Sequence, residues 1–512
     1  MTIRRVLGIT VLAIVGVVLV GIGVVAYLYY EGLTHEPLAV AYGENCGVCH
    51  GENMEGTGQG TPLVGVAFRH GETVEEIAAS IANGFPAQGM PGWSDILPET
   101  EIRKLAIYIS ERRSDLGRDF RVGMALEIPE GTLHSALHDF RIETFAEGLD
   151  PWPFSIAPLP DGAFLVTEKK RGLRIVSADG EPSPLIEGTP VAHADAFTVP
   201  LVALEIGTGW MMEVAAHPDY ADNGWVYLHF GDRCTDCNAV GGAVSMNKVV
   251  RGRIDAGRWV DEETIWSAPL EDYSDMPDLA AGGRLCFDEV RRLYISVGMK
   301  GPVNYYGIQD LSEPYGKIHR VQDDGTVPAD NPFLDDADAQ PTAWTYGHRS
   351  PQGLECDHRT GRVWSTEMGP RGGDEINLLL PGRNYGWPIY SKGVDYDGTP
   401  VEYWKELGIA LDLEQIEQPV VDLTPSPAVS SFVFYEGDAF PAWRNQMLVG
   451  TLKATELYRV EVDGDRVLAR ETLIEDLARI RDVEVGVDGL VYLLLEHASG
   501  GRIVRLVPAS AG

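Results

Sequence analysis

At 512 residues the chain is too long for one small domain, and 44% hydrophobic with 23% charged residues excludes a disordered or fibrous protein. Its formal charge of −35, from 76 acidic against 41 basic side chains, disfavours nucleic acid and anionic lipid. The same charge can serve solubility alone or steer a basic partner such as a cationic soluble cytochrome.

Residues 1–38 read as an anchor and stalk. Val6 to Tyr30 carry no charged side chain, enough for a helix across a hydrocarbon core of ~30 Å. Arg4 and Arg5 precede it, so the positive-inside rule predicts a single-pass inner-membrane protein with its soluble domains on the periplasmic side. A cleaved signal would have an apolar core of only ~7–15 residues with a small-x-small site directly after it. Ala39-Val40-Ala41 lies too far from the apolar run to fit that pattern.

Residues 39–126 are expected to form a small all-α domain. Cys46-Gly47-Val48-Cys49-His50 is C-x-x-C-H, the attachment motif of c-type haem. Two thiols at this spacing add to the haem vinyl groups, and the adjacent imidazole of His50 is held over the iron. Val74, Ile77, Ala78 and Ile81 repeat at helical spacing behind a Thr73–Glu76 capping box, and Ile102, Leu105, Ala106 and Ile109 repeat it again. Between the two helices lies Gly89-Met90-Pro91, which resembles the distal-ligand loop of class I cytochromes. Met90 is therefore the expected sixth ligand, and His/Met ligation raises the potential relative to two histidines. Met54 is the rival, but it follows His50 too closely to reach the opposite haem face.

Residues 127–141, with Pro129-Glu130-Gly131, read as a linker. From 142 to 512 short strands alternate with turns. A turn followed by an apolar or aromatic strand occurs six times, beginning at Phe164, Val226, Leu293, Val363, Met447 and Val491. The spacing leaves room for about four strands per repeat, which predicts a six-bladed β-propeller. Cys234 and Cys237 form a second C-x-x-C in a polar stretch and are expected to pair locally. Cys286 and Cys356 lie in apolar strand patterns and read as buried thiols.

Several long motifs in this region carry a family resemblance. They are Tyr346-Gly347-His348-Arg349-Ser350-Pro351-Gln352-Gly353-Leu354, then Glu367-Met368-Gly369-Pro370-Arg371-Gly372-Gly373-Asp374-Glu375-Ile376-Asn377, and Asn384-Tyr385-Gly386-Trp387-Pro388. With Gly316-Lys317-Ile318-His319-Arg320 they resemble the soluble glucose and aldose sugar dehydrogenases, six-bladed propellers that bind pyrroloquinoline quinone (PQQ) and calcium. The resemblance implies a quinone contact for Arg349 and a cofactor contact for Lys453. It implies carboxylate contacts for Arg479 and Arg481, and calcium ligation by the carbonyls of Gly369 and Pro370. Arginine suits planar carboxylates, and calcium takes oxygen ligands.

The departures from the family pattern bear on activity. Ala280 stands where the family has its histidine base, and Met299 where an aspartate orients that base. Thr208 replaces a glutamine, Trp210 a glycine, and Ser350 the asparagine after the quinone arginine. Lys300 and His348 are the conceivable replacement bases. Two readings follow: a PQQ-dependent sugar or alcohol dehydrogenase feeding its own haem, or a degenerate propeller that serves the cytochrome as a ligand-binding or scaffold module.

Overall fold

The computed structural model describes residues 37–114, 125–194, 197–199, 204–237, 242–300 and 305–509. The anchor read over 1–38 falls almost wholly outside them. Among the described residues no helix is long and apolar enough to cross a membrane.

These residues form two compact units. The smaller is helical. Helix α1, Pro37–Tyr42, runs through a π-turn at Gly43–Gly47 into the short turn of helix that carries Cys49 and His50. Helix α2 is Val74–Asn83 and helix α3 is Glu99–Arg113. The capping box forms as read: Thr73 Oγ1 accepts the Glu76 N–H at 3.3 Å, and the Glu76 carboxylate accepts the Thr73 N–H at 3.0 Å. Val74, Ile77 and Ile81 then face Ile102, Leu105, Ala106 and Ile109 in one buried core.

The larger unit is a six-bladed propeller. Blades 2 to 5 each hold four antiparallel strands; they begin at Met211–Ala216, Gly282–Phe287, Pro351–Asp357 and Val429–Phe434. Blade 1 begins at Pro153–Pro158 and blade 6 at Arg479–Val485. The first strand of each blade packs on the first strand of the next, and blade 6 on blade 1, so the ring closes. All six strands picked out by their turns are the second strand of a blade.

Blade 6 is completed from the other end of the domain. Asp139–Leu149 pairs with Gly501–Pro508, placing Ile142 opposite Leu506. Leu133–His134 pairs with it in turn. Part of the stretch read as a linker over 127–141 is therefore sheet, with Phe140 fully buried. Its turn signals are visible locally; its strand partner lies at the far end of the sequence.

One cysteine reading is corrected. Cys234 and Cys237 are paired as expected, but Cys286 and Cys356 also form a disulfide, with a Cα–Cα distance of 5.8 Å. It joins the first strands of blades 3 and 4. Their apolar surroundings suggested buried thiols. Only the packing of adjacent blades brings residues 70 apart into bonding range.

Candidate functional site

In the helical unit the haem motif is shaped for its ligand. Cys46 and Cys49 are unpaired and half-buried. His50 Nδ1 lies 2.7 Å from the carbonyl oxygen of Thr61. A carbonyl only accepts, so Nδ1 carries the proton and Nε2 keeps its lone pair for a metal. Met90 is half-buried in a loop closed by paired backbone bonds: Phe85 N–H to Met90 O at 2.9 Å, and Met90 N–H to Phe85 O at 3.2 Å. Met54, the rival, is 1% exposed among the apolar side chains of the core. These residues fit a covalently held haem with an axial histidine.

In the propeller the expected cofactor arginines alternate on the first strand of blade 6, so Arg479 and Arg481 share a face. Both present Nε to Glu496, at 3.0 and 2.7 Å. Lys169 completes the group, with Nζ 2.6 Å from the same carboxylate. Lys169 follows the second strand of blade 1, and Glu496 ends the second strand of blade 6. All four side chains are buried. Burial and the neighbouring Arg481 pull Lys169 down to about 7, while the three cations hold Glu496 ionised. Burial lowers Arg481 as well. Positive charge thus outweighs negative here, and an anion would relieve it. Sequence reasoning missed Lys169 and Glu496, because neither lies in a motif with the arginines.

Arg481 also donates to Gln352 Oε1 at 2.9 Å, and Gln352 Nε2 donates to Ser350 Oγ at 3.0 Å. Ser350 adjoins Arg349, whose guanidinium lies 5.2 Å from the Trp387 ring centroid. The network therefore runs from the blade 6 arginines to Ser350, the residue after Arg349. Lys453 is half-buried after the second strand of blade 5, its N–H donating to Pro427 O at 2.9 Å. Beneath the network Arg284 joins four blades. It reaches Glu213 and Asp482 at 2.8 Å each, the carbonyl of Arg481 at 2.9 Å and that of Gln352 at 2.7 Å.

Apolar side chains stand at the positions of the family's base and its partner. Met299 is buried with Ala280 packed on the same cluster, and the Met299 N–H donates to Arg349 O at 2.8 Å. Met299 is thus close to Arg349, yet neither Ala280 nor Met299 can accept a proton. The replacement bases are both engaged. Lys300 is fully buried against Asp278 and donates to Ser245 Oγ at 2.9 Å. Asp278 further accepts N–H bonds from Gly209 and Trp210 at 2.7 and 3.0 Å. His348 holds Glu367 and Thr345 at 2.9 Å through its two ring nitrogens and stacks on Tyr385. Trp210 packs with Phe154, Met212 and Ala281, and among the described residues its buried indole N–H finds no acceptor.

The chain belongs to the glucose/sorbosone dehydrogenase family, whose model matches residues 150–505, and a model of cbb3-type cytochrome c oxidase subunit III matches residues 34–109. It is 33% identical over 373 residues to the aldose sugar dehydrogenase YliI of Escherichia coli, covering 72% of this chain and 92% of that one. The apo crystal structure of the soluble aldose sugar dehydrogenase from Escherichia coli superposes with a TM-score of 0.61 at 31% identity, covering 72% of this chain and all of that one. The helical segment is 36% identical over 72 residues to cytochrome c55X of Paracoccus denitrificans, covering 14% of this chain and 68% of that one. The architecture is thus a sugar-dehydrogenase propeller joined to a cytochrome c domain.

The over-positive, buried arginine site fits a ligand with several carboxylates, as PQQ is. Calcium fits less well. The Gly369 carbonyl already accepts a hydrogen bond from Arg349 Nη1 at 2.9 Å. No group of three or more metal-ligating side chains is assembled among the described residues. As arranged, Gly369 and Pro370 do not form a calcium site.

Proposed function

We propose that the chain is a membrane-anchored periplasmic oxidoreductase: its propeller oxidises a sugar or other alcohol with PQQ, and its haem c passes the electrons to a respiratory acceptor. The observation that carries this reading is the meeting of Arg479, Arg481 and Lys169 on the single carboxylate of Glu496. Such an excess of buried positive charge suits a polycarboxylate. When bound, PQQ supplies two-electron oxidation of an alcohol and haem c supplies one-electron transport. Arg479 and Arg481 would hold cofactor carboxylates, and Arg349 would contact the quinone. His50, through Nε2, and Met90, through its thioether, would be the protein ligands of the haem iron. Joining donor and carrier in one chain replaces a diffusional encounter with a high effective concentration.

A second reading rests on Ala280 and Met299. A positioned base contributes ~10²–10⁴-fold to such an oxidation, and Lys300 and His348, the two candidate replacements, are both engaged with other partners. In this reading the propeller binds a ligand, or holds the cytochrome in an assembly, without turnover.

One experiment separates the two. The purified chain is titrated with PQQ, with and without calcium, and haem reduction is followed after adding aldoses and alcohols. The enzyme reading expects PQQ binding followed by haem reduction; absence of PQQ binding sinks it, and rapid reduction sinks the scaffold reading. In the double variant A280H/M299D, aldose-driven haem reduction should rise ~10²–10⁴-fold.

A further inference from the structure

Glu496 is an unexpected partner for two arginines assigned to an anionic cofactor, since a carboxylate there competes with the ligand for the same charges. Its geometry suggests a different role. It accepts from the Nε atoms of both arginines, and Arg481 donates through its terminal Nη1 to a different acceptor, Gln352. Fixing Nε fixes the plane of each guanidinium, which decides whether a planar carboxylate can be gripped in two places. Lys169 holds the other side of the picture. Its ammonium is bonded to Glu496 and lies 5.3 Å from the Trp210 ring centroid, 5.7 Å from that of Phe154 and 5.8 Å from that of Trp152. The ring faces partly replace the water that burial removes. Lys169 therefore anchors Glu496 from blade 1 while the arginines stand on blade 6, across the seam where the ring closes.

We propose that Glu496 and Lys169 are positioning residues for carboxylate recognition: Glu496 sets the planes of Arg479 and Arg481, and Lys169 keeps Glu496 in place while adding positive charge. The inference rests on the PQQ reading and extends it to two residues outside the arginine motif. Burial and the repulsion of Arg481 hold the Lys169 ammonium near 7 in the absence of an anion.

The test is isothermal calorimetry of PQQ binding to the full-length, haem-loaded chain, with thermal unfolding measured alongside. K169M keeps the length of the side chain and its packing but loses the charge; it should weaken PQQ binding ~10–100-fold, the scale of one charge-assisted contact. K169R should bring affinity back to within a few fold of the wild type. E496Q is the sharper variant, because positioning and charge predict opposite signs. Removing a negative charge beside an anionic ligand should tighten binding if only charge matters; loosening the arginine planes should weaken it. Weaker PQQ binding by E496Q supports the proposal, and unchanged or tighter binding overturns it. Unchanged affinity in K169M overturns it too. A wild-type chain that binds no PQQ defeats the cofactor reading and this proposal together, whereas wild-type binding with indifferent variants defeats this proposal alone.

Discussion

Lys300 and Asp278 show how a position that resembles a catalytic one can be structural. The ammonium and carboxylate are fully buried against each other, and Asp278 also holds two backbone N–H groups and Ser245. A carboxylate with so many donors has no lone pair to offer a substrate proton. Removing one partner of a buried pair leaves the other uncompensated, so K300M should cost about 3–5 kcal/mol, read from the shift in denaturant midpoint. Pairing it with D278N should recover part of that loss. If K300M unfolds like the wild type, the Lys300–Asp278 contact does not contribute to stability. The residue-scale features visible in the sequence were those with a motif around them: Cys46, Cys49 and His50, and by resemblance Arg349, Arg479 and Arg481. Asp278, Lys169 and Glu496 carried no such signal, because each acts through a partner far along the chain.

At the scale of elements, the helices and repeats follow from local patterns. The Thr73–Glu76 box starts helix α2, and Gly84, at φ 62°, follows its last residue in a conformation that suits glycine. Each turn-and-strand repeat supplies the second strand of a blade because its turn is built from adjacent residues. The ties between elements are another matter. The Cys286–Cys356 disulfide links blades 3 and 4 across a separation of 70 residues. Closing a loop of this length constrains the unfolded chain, so C286A/C356A should lose about 2–4 kcal/mol of stability. Thermal unfolding with and without a thiol reductant checks this: the reductant should destabilise the wild type and leave the variant's response to Cys234–Cys237 alone. A variant as stable as the wild type would mean that blade packing suffices without the bond.

At the scale of the whole molecule, the net charge of −35 gives the proposed electron transfer a testable dependence on salt. A cationic acceptor should reduce quickly at low salt and more slowly as ionic strength passes ~0.1 M, where the screening length falls to about 10 Å. Stopped-flow transfer from reduced haem to a basic soluble cytochrome measures it, and a rate indifferent to salt would remove charge as the steering force. The sequence by itself determined the haem motif, the helical faces, the six repeats and, through resemblance, the family and its missing base. All of these are written in residues close together or in motifs of fixed spacing. The tertiary structure alone decided that residues 139–149 close blade 6, that Cys286 meets Cys356, that Lys300 and His348 are already engaged, and that Lys169 and Glu496 brace the arginines. Those pairings arise when a ring of blades closes, which brings side chains up to hundreds of residues apart into contact, a distance that no local pattern encodes.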